Sequence, residues 1–313
     1  MATKSKETQI AAYTASKGCD AKVRQYLNAA LADNTLRAYR ADLKHFVAWG
    51  GVIPATPARV AKYIAHHASS LASSTLSRRL IAIARAHTAQ GFASPTKSPL
   101  VTATLQGVRR SRQRAIRRVA PLQKTDLLRM LKGLSGLQGM RDAALLLLGF
   151  ASAMRRSEIV SLDVSDIEMT AQGMMIRLRR SKTDQEGNGR EIVIPRVRGR
   201  HCPIRALETW LNAANVEDGA LFRRVTQYGE VMPQRLSAQS VALIIKRCAA
   251  AAGLDSSLYS GHSLRAGFVT NAARCGASSV SICGQTGHQS DAMLQRYIRL
   301  SQRFSEHPLL KIW

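Results

Sequence analysis

The sequence predicts a mainly α-helical protein, an N-terminal helical bundle followed by an α+β domain with a small antiparallel β-hairpin or sheet. Three observations carry this. Apolar residues recur at three- and four-residue spacing from Asn34 to Gly91. The helical period returns after Pro121 but gives way to alternation around Met174–Leu178 and Ile192–Ile194. Between the two regions, residues 107–120 hold six arginines and no acid.

The elements follow in order. Residues 1–20 are small and polar, with Lys4, Lys6 and Lys17, and read as a flexible basic tail. Leu36, Tyr39, Leu43, Phe46 and Val47 form one helical stripe, which Gly50-Gly51 ends. Thr56-Pro57 opens a second helix, since proline suits the first helical position; Val60, Ile64, Ala68 and Leu71 continue it until Ser73-Ser74. A third helix carries Leu76, Leu80, Ile83 and His87 and stops at Gly91. Its polar face and its neighbours' hold Arg37, Arg40, Lys44, Arg59, Lys62, Arg78, Arg79 and Arg85 with almost no balancing acids. The organisation predicted is a tail over 1–20, a helical domain over 21–106, a basic linker over 107–120 and a second domain over 121–313. Self-repulsion is expected to keep the linker extended unless phosphates neutralise it. In the second domain, helices are predicted over Thr125–Leu134, Met140–Ala153, Pro203–Ala213, Ser237–Ala252, His262–Cys275 and Asp291–Gln302, with the polar loop Ser181–Arg190 joining two strands.

Composition narrows the function. The 313 residues fit two domains at roughly 100 to 200 residues each. Lys plus Arg is 46 against 20 Asp plus Glu, a formal charge of +26, which points to a polyanionic partner. The apolar stretch Ala143–Ala151 is far short of the roughly 20 residues a bilayer span needs, and Met1–Asp20 lacks a signal peptide's apolar core. Cys19, Cys202, Cys248, Cys275 and Cys283 are scattered, with no zinc or disulfide spacing, so a reducing, cytoplasmic, nucleoid-associated setting is expected. With aromatics at 5% and no paired stacking motif, RNA is the weaker candidate partner.

Phosphate-loop, dinucleotide and zinc-protease motifs are absent, as is a dense carboxylate cluster for a two-metal nuclease, so no cofactor or metal is expected. What remains are cations and hydrogen-bond donors in four segments: Ala153–Glu158, Arg180–Thr183, Ser260–Arg265 and Thr286–Gln289, with Tyr297 beyond. His262 and Arg265, three apart at a helix start, can share one face and grip a phosphate. Glu158 can hold the head of Arg155, or the two can form an ordinary surface pair. Lys182 in a loop and Tyr297 in a helix are unremarkable singly. Several fixed cations aimed at one phosphodiester would stabilise the added charge of its transition state.

In this order, the segments resemble the tyrosine recombinase, or phage integrase, family, whose pattern is Gly-Leu-Arg-x-x-Glu, a hairpin Lys, His-x-x-Arg, Gly-His or Gly-Trp, then Tyr nine residues on. The matching words include Arg156–Leu162, Ser181–Asp184, His262–Arg265 and Gln285–His288. The helical first half and basic linker are similar to the two-domain plan of Cre recombinase. Ala153-Met154 departs from Gly-Leu, which bears on packing behind Arg155, and His288 stands where Cre-like enzymes carry tryptophan.

The resemblance implies site-specific recombination. Tyr297 would attack the scissile phosphate to form a 3′-phosphotyrosyl bond. Arg155 and Arg265 would hold the non-bridging oxygens, His288 would add a hydrogen bond, His262 would assist proton transfer, Lys182 would protonate the leaving oxygen, and Glu158 would orient its neighbours. Strands would exchange through a Holliday junction in a homotetramer of two synapsed dimers on double-stranded DNA with inverted half-sites. The apolar tail Pro308–Trp313 would dock on a neighbouring subunit; packing on its own domain is the alternative. Arg37, Arg40, Lys44, Arg78, Arg79, Arg85, Arg109, Arg110, Arg112, Arg114, Arg117 and Arg118 are the candidate DNA contacts. The rival readings are a non-catalytic architectural or regulatory DNA binder and a type IB topoisomerase-like relaxing enzyme. Neutralising many phosphates releases counterions, so affinity for duplex DNA is expected to fall steeply between about 50 and 200 mM salt. A flat plot of log affinity against log salt would contradict the basic interface.

Overall fold

The computed structural model describes residues 20, 22, 25, 26, 31–111, 119–179, 189–287, 309 and 312. Residues 1–19 of the predicted basic tail, residues 181–188 of the predicted loop with Lys182, the helix over 291–302, His288, Tyr297, Arg112, Arg114, Arg117 and Arg118 lie outside the described residues. The chain divides into two compact units, residues 1–116 and 117–313.

Among the described residues the first unit holds helices and no strand: α1 (Asp33–Ala48), α2 (Pro57–His66), α3 (Ser73–Ala89) and α4 (Pro99–Ser111). Gly50, at φ 101°, turns the chain after α1, and Thr56 Oγ1 caps α2 by accepting the Arg59 N–H at 3.2 Å. Helix α2 ends at His66, so Ala68 and Leu71, expected to continue it, instead pack on the core from the turn that follows. Leu43, Phe46, Val60, Ile64, Leu76 and Ile83 form the core.

Helix α4 corrects the expected linker. Residues 107–111 are helical, not extended, because Val101, Leu105 and Val108 recur at helical spacing and pack on the core. Arg109 and Arg110 fall in its last turn, where the helix dipole favours cations, and Arg109 Nη2 donates to Ser77 Oγ at 2.9 Å.

A second correction concerns Arg79. It is buried, not on the polar face, and it belongs to the fold. Asp42, 2% exposed, accepts from Arg78 Nε and Nη2 at 2.7 and 2.9 Å and pairs with Arg79 Nε at 3.5 Å. Arg79 Nη1 donates to Tyr63 Oη at 2.9 Å and reaches His45 Nδ1 at 2.7 Å. Burial, then the Arg79 charge, lowers the His45 pKa, consistent with a neutral ring accepting at Nδ1.

The second unit runs α5 (Lys124–Lys132), α6 (Gly136–Ala151), α7 (Arg156–Ser161), β1 (Ile167–Met169), β2 (Gly173–Leu178), β3 (Arg190–Pro195), α8 (Pro203–Ala213), β4 (Arg223–Val225), β5 (Val231–Arg235), α9 (Ala238–Ala251), α10 (Ser263–Arg274) and α11 (Ser279–Thr286). Strands β1, β2 and β3 form an antiparallel sheet in that order; Met174 faces Ile194 and Ile176 faces Ile192, so alternate residues enter one core. The hairpin thus gains a third strand, and the short β4–β5 pair and α11 are additions to the expected elements. Helix α6 is buried on most sides: Leu145, Leu146 and Leu148 have no exposure and Leu147 has 7%. Trp210 of α8 is fully buried beside it and donates from Nε1 to the Leu221 carbonyl at 2.9 Å. No helix of the described residues is long and apolar enough to cross a membrane.

Removing Asp42 strands a buried guanidinium. Asp42→Ala is therefore expected to destabilise the helical unit by about 3 to 5 kcal/mol. A urea midpoint equal to the parent's would refute that role.

Candidate functional site

Arg155 sits at the N-cap of α7 with an extended backbone, φ −70° and ψ 147°. Glu158, in the first helical turn, accepts the Arg155 backbone N–H at Oε2 (2.8 Å) and its Nη1 at Oε1 (2.7 Å). One carboxylate thus closes the helix start and orients the arginine. Glu158 is 3% exposed while the Arg155 side chain keeps 22%, which places this pair well above an ordinary surface ion pair.

Arg265, in the first turn of α10, is 2% exposed, and its Nη1 donates to the Ala153 carbonyl at 2.8 Å. Ala153 has φ 51°, a left-handed conformation that costs an alanine about 1 to 2 kcal/mol and a glycine little. This is what the departure from Gly-Leu means physically: the family's glycine position is a backbone turn, not only a packing site. The turn aims the carbonyl at Arg265 and leads the chain into Arg155.

His262 is the N-cap of α10. Ser260 and Ser263 fix the approach, with Ser260 N–H donating to Ser263 Oγ at 3.0 Å and Ser263 N–H to the Ser260 carbonyl at 2.9 Å. Gly261 admits the chain past Arg156, since a Cβ there would stand 2.7 Å from Arg156 Cδ. His262 is exposed, yet partial desolvation, then the charges of Arg265 and Arg155, lower its pKa. All three residues therefore share one electrostatic neighbourhood, although more than a hundred positions separate Arg155 from the other two in sequence.

Helix α11 is tied to the same place. Gln285 Nε2 donates to the Ala151 carbonyl at 2.9 Å, and Gly287, at φ 65°, ends the helix with its N–H on the Cys283 carbonyl at 2.7 Å. Arg190, at the start of β3, donates from Nη1 to the Gln285 carbonyl at 3.1 Å. In the sequence Arg190 reads as the end of the polar loop Ser181–Arg190. Its only available signal was a cation entering an apolar strand.

The structure thus brings Arg155, Glu158, His262 and Arg265 together. Lys182, His288 and Tyr297 fall outside the described residues. Among the described residues, no group of three or more His, Cys, Asp and Glu could hold a metal. In the helical unit, Arg37, Arg40, Lys44 and Arg85 are exposed, as are Arg109 and Arg110 at the end of α4. Arg37, Arg40 and Lys44 lie at three- and four-residue spacing on α1, a single cationic face. Arg78 is half-exposed but already bidentate with Asp42.

A proton titration of His262 by NMR is expected to give a midpoint below the ordinary 6.5. Arg155→Ala should raise it, because one repelling cation is gone. An unmoved midpoint would separate His262 from Arg155.

Residues 120–303 match the phage integrase family, and residues 24–89 match the phage integrase N-terminal SAM-like domain. An integrase/recombinase XerD homologue of Selenomonas ruminantium is 38% identical over 303 residues, covering 93% of this chain and 89% of the relative. Recombinase Cre of Escherichia phage P1 is 26% identical over 297 residues, covering 86% of this chain and 85% of Cre. Among solved structures, a lambda integrase tetramer bound to a Holliday junction shares the fold at TM-score 0.63 and 16% identity, covering 93% of this chain and 76% of that one. Together with the ordered arginine, glutamate and histidine positions, these matches establish that the chain belongs to the phage integrase family of tyrosine recombinases.

Proposed function

We propose that Arg155, Arg265, His262 and Glu158 form the phosphate-binding part of the active site of a site-specific DNA recombinase, with Lys182, His288 and Tyr297 completing it. Site-specific recombination is the activity of the family to which the chain belongs. The observation that carries the residue assignment is the bond from Arg265 to the Ala153 carbonyl, two residues before Arg155. It brings the Arg265 side chain to the segment that carries Arg155, which supports a reading in which one phosphodiester lies against both guanidinium groups.

The chemistry follows from the charges. Attack by the Tyr297 oxygen adds negative charge to the non-bridging oxygens. Arg155 and Arg265, already oriented by Glu158 and by the turn at Ala153, stabilise that charge without reorganising. His262, whose pKa is lowered first by desolvation and then by its cationic neighbours, takes the tyrosine proton, while Lys182 protonates the departing 5′-oxygen and His288 donates to the phosphate. The 3′-phosphotyrosyl bond forms as the P–O5′ bond breaks, and the 5′-hydroxyl of a partner strand reverses the step. The exposed face of Arg37, Arg40 and Lys44, with Arg85, Arg109 and Arg110, contacts the DNA backbone. Recombinase and integrase relatives favour this reading over a non-catalytic binder or a relaxing topoisomerase.

The working assembly is a homotetramer on inverted half-sites, by extension from the lambda integrase tetramer. Leu309 and Ile312 of the tail are 52% and 75% exposed. An apolar groove of about 380 Å³, lined by Phe150, Val193, Pro203, Phe268, Ala272 and Ile282, is the surface we assign to the tail of a neighbouring subunit.

Mixed with a nicked substrate from its footprinted target, the protein should give a covalent adduct on a denaturing gel, and Tyr297→Phe should abolish it. Arg155→Ala or Arg265→Ala should slow the adduct by about 10². Absence of any adduct on a verified target would favour the non-catalytic binder. Deleting the last six residues should impair assembly on paired sites while sparing half-site binding; unaltered assembly would refute the docking of the tail.

A further inference from the structure

Arg190 begins β3 opposite Leu178, at the point where the chain re-enters the sheet. Its guanidinium does two separable things. Nη1 donates to the Gln285 carbonyl at 3.1 Å, one of the carbonyls left unpaired at the C-terminal end of α11. The planar group also lies against the backbone of Gly287: a Cβ there would come within 2.7 Å of Nη1 and 2.9 Å of Cζ. Glycine suits position 287 because its φ is 65°, and the absence of a Cβ lets the arginine lie against the backbone there.

The third feature is the other nitrogen. Nη2 of Arg190 is buried and finds no hydrogen-bond acceptor among the described residues. Glu158 and Arg155 both bear electrostatically on this guanidinium, and burial lowers its pKa. The two Glu158 oxygens are already engaged by the backbone N–H and Nη1 of Arg155. Two guanidiniums therefore share one carboxylate, leaving the site with net positive charge and an unused buried donor. Such a donor is destabilising, the more so when charged, unless an acceptor arrives.

We propose that Arg190 is a third phosphate-binding guanidinium: Nη1 braces the Gly287 turn, while Nη2 donates to a non-bridging oxygen of the scissile phosphate, beside Arg155. This rests on the recombinase reading for the identity of the phosphate. It goes beyond that reading by assigning a role to a residue outside the family's motif. Arginine suits both duties because its planar fork offers several fixed donors, whereas a lysine ammonium is a point charge that cannot brace the turn and reach the phosphate together.

The test is a double-mutant cycle between Arg190 and the charge of that phosphate. Binding is measured in a Tyr297→Phe background, which keeps the DNA intact. The probes are the footprinted duplex and the same duplex with a neutral methylphosphonate at the scissile position. Arg190→Gln should weaken binding to the natural duplex by roughly tenfold or more and reduce the log–log salt slope by about 0.9. On the neutral duplex the two proteins should bind almost equally. Equal losses on both duplexes would overturn the proposal and leave Arg190 as a brace alone. Arg190→Lys guards against a folding defect: it keeps the charge but not the fork, so it should melt near the parent temperature yet slow adduct formation about tenfold in the Tyr297-containing protein. A lysine variant with parental adduct rate would also overturn it. Failure of the parent to form an adduct would sink the recombinase reading, while the binding cycle would still decide whether Arg190 touches that phosphate.

Discussion

The hydrogen bond from Arg265 to the carbonyl of Ala153 is the contact on which the candidate site depends. It links the start of α10 to the turn between α6 and α7, and so sets a buried arginine next to the segment that carries Arg155. The accepting Ala153 sits at φ 51°, and Glu158 holds Arg155 through both its backbone and its side chain. A strained backbone position, a buried cation and a buried carboxylate thus form one unit. Strain of this kind persists only where surrounding contacts over-determine it.

The same economy of acids runs through the molecule. With 20 acidic residues against 46 lysines and arginines, the protein places several carboxylates where they anchor arginines inside. Asp42 holds Arg78 and Arg79, Asp142 is fully buried between Arg141 and Arg247, and Glu158 holds Arg155. Breaking a buried pair leaves an uncompensated charge, so these acids are structural in a strong sense. Exposed cations such as Arg37, Arg40 and Lys44 consequently keep their charge available for a polyanion. This explains how a chain of +26 retains ordered cores while presenting a basic surface.

Much of this was legible in the sequence. Leu43, Phe46, Val60, Ile64, Leu76 and Ile83 announce a helical core by spacing alone, and Met174, Ile176, Ile192 and Ile194 announce a strand pair by alternation, because side-chain direction repeats every 3.6 or 2 residues. The Arg155–Glu158 pair and the His262–Arg265 pair were legible for the same reason. Residues 107–111 were misread because the arginines dominate the local pattern, while Val101, Leu105 and Val108 find their partners only on other helices. Arg79 was misread for a related reason: periodicity reports which face a residue occupies, but not that a buried Asp42 and Tyr63 wait beneath it.

By itself, then, the order of residues determined the helical period, the strand alternation, the excess of positive charge and the identity of the chemically capable side chains, since each is a property of local spacing or of composition. Only tertiary structure decided that Arg265 reaches the Ala153 carbonyl, that Arg79 is interior, and that Arg190 lies against Gly287 with a donor to spare. The reason is the chain distance involved. Those contacts join segments far apart in sequence, and they exist only once packing has set the distances between helix ends and strand starts to within hydrogen-bonding range.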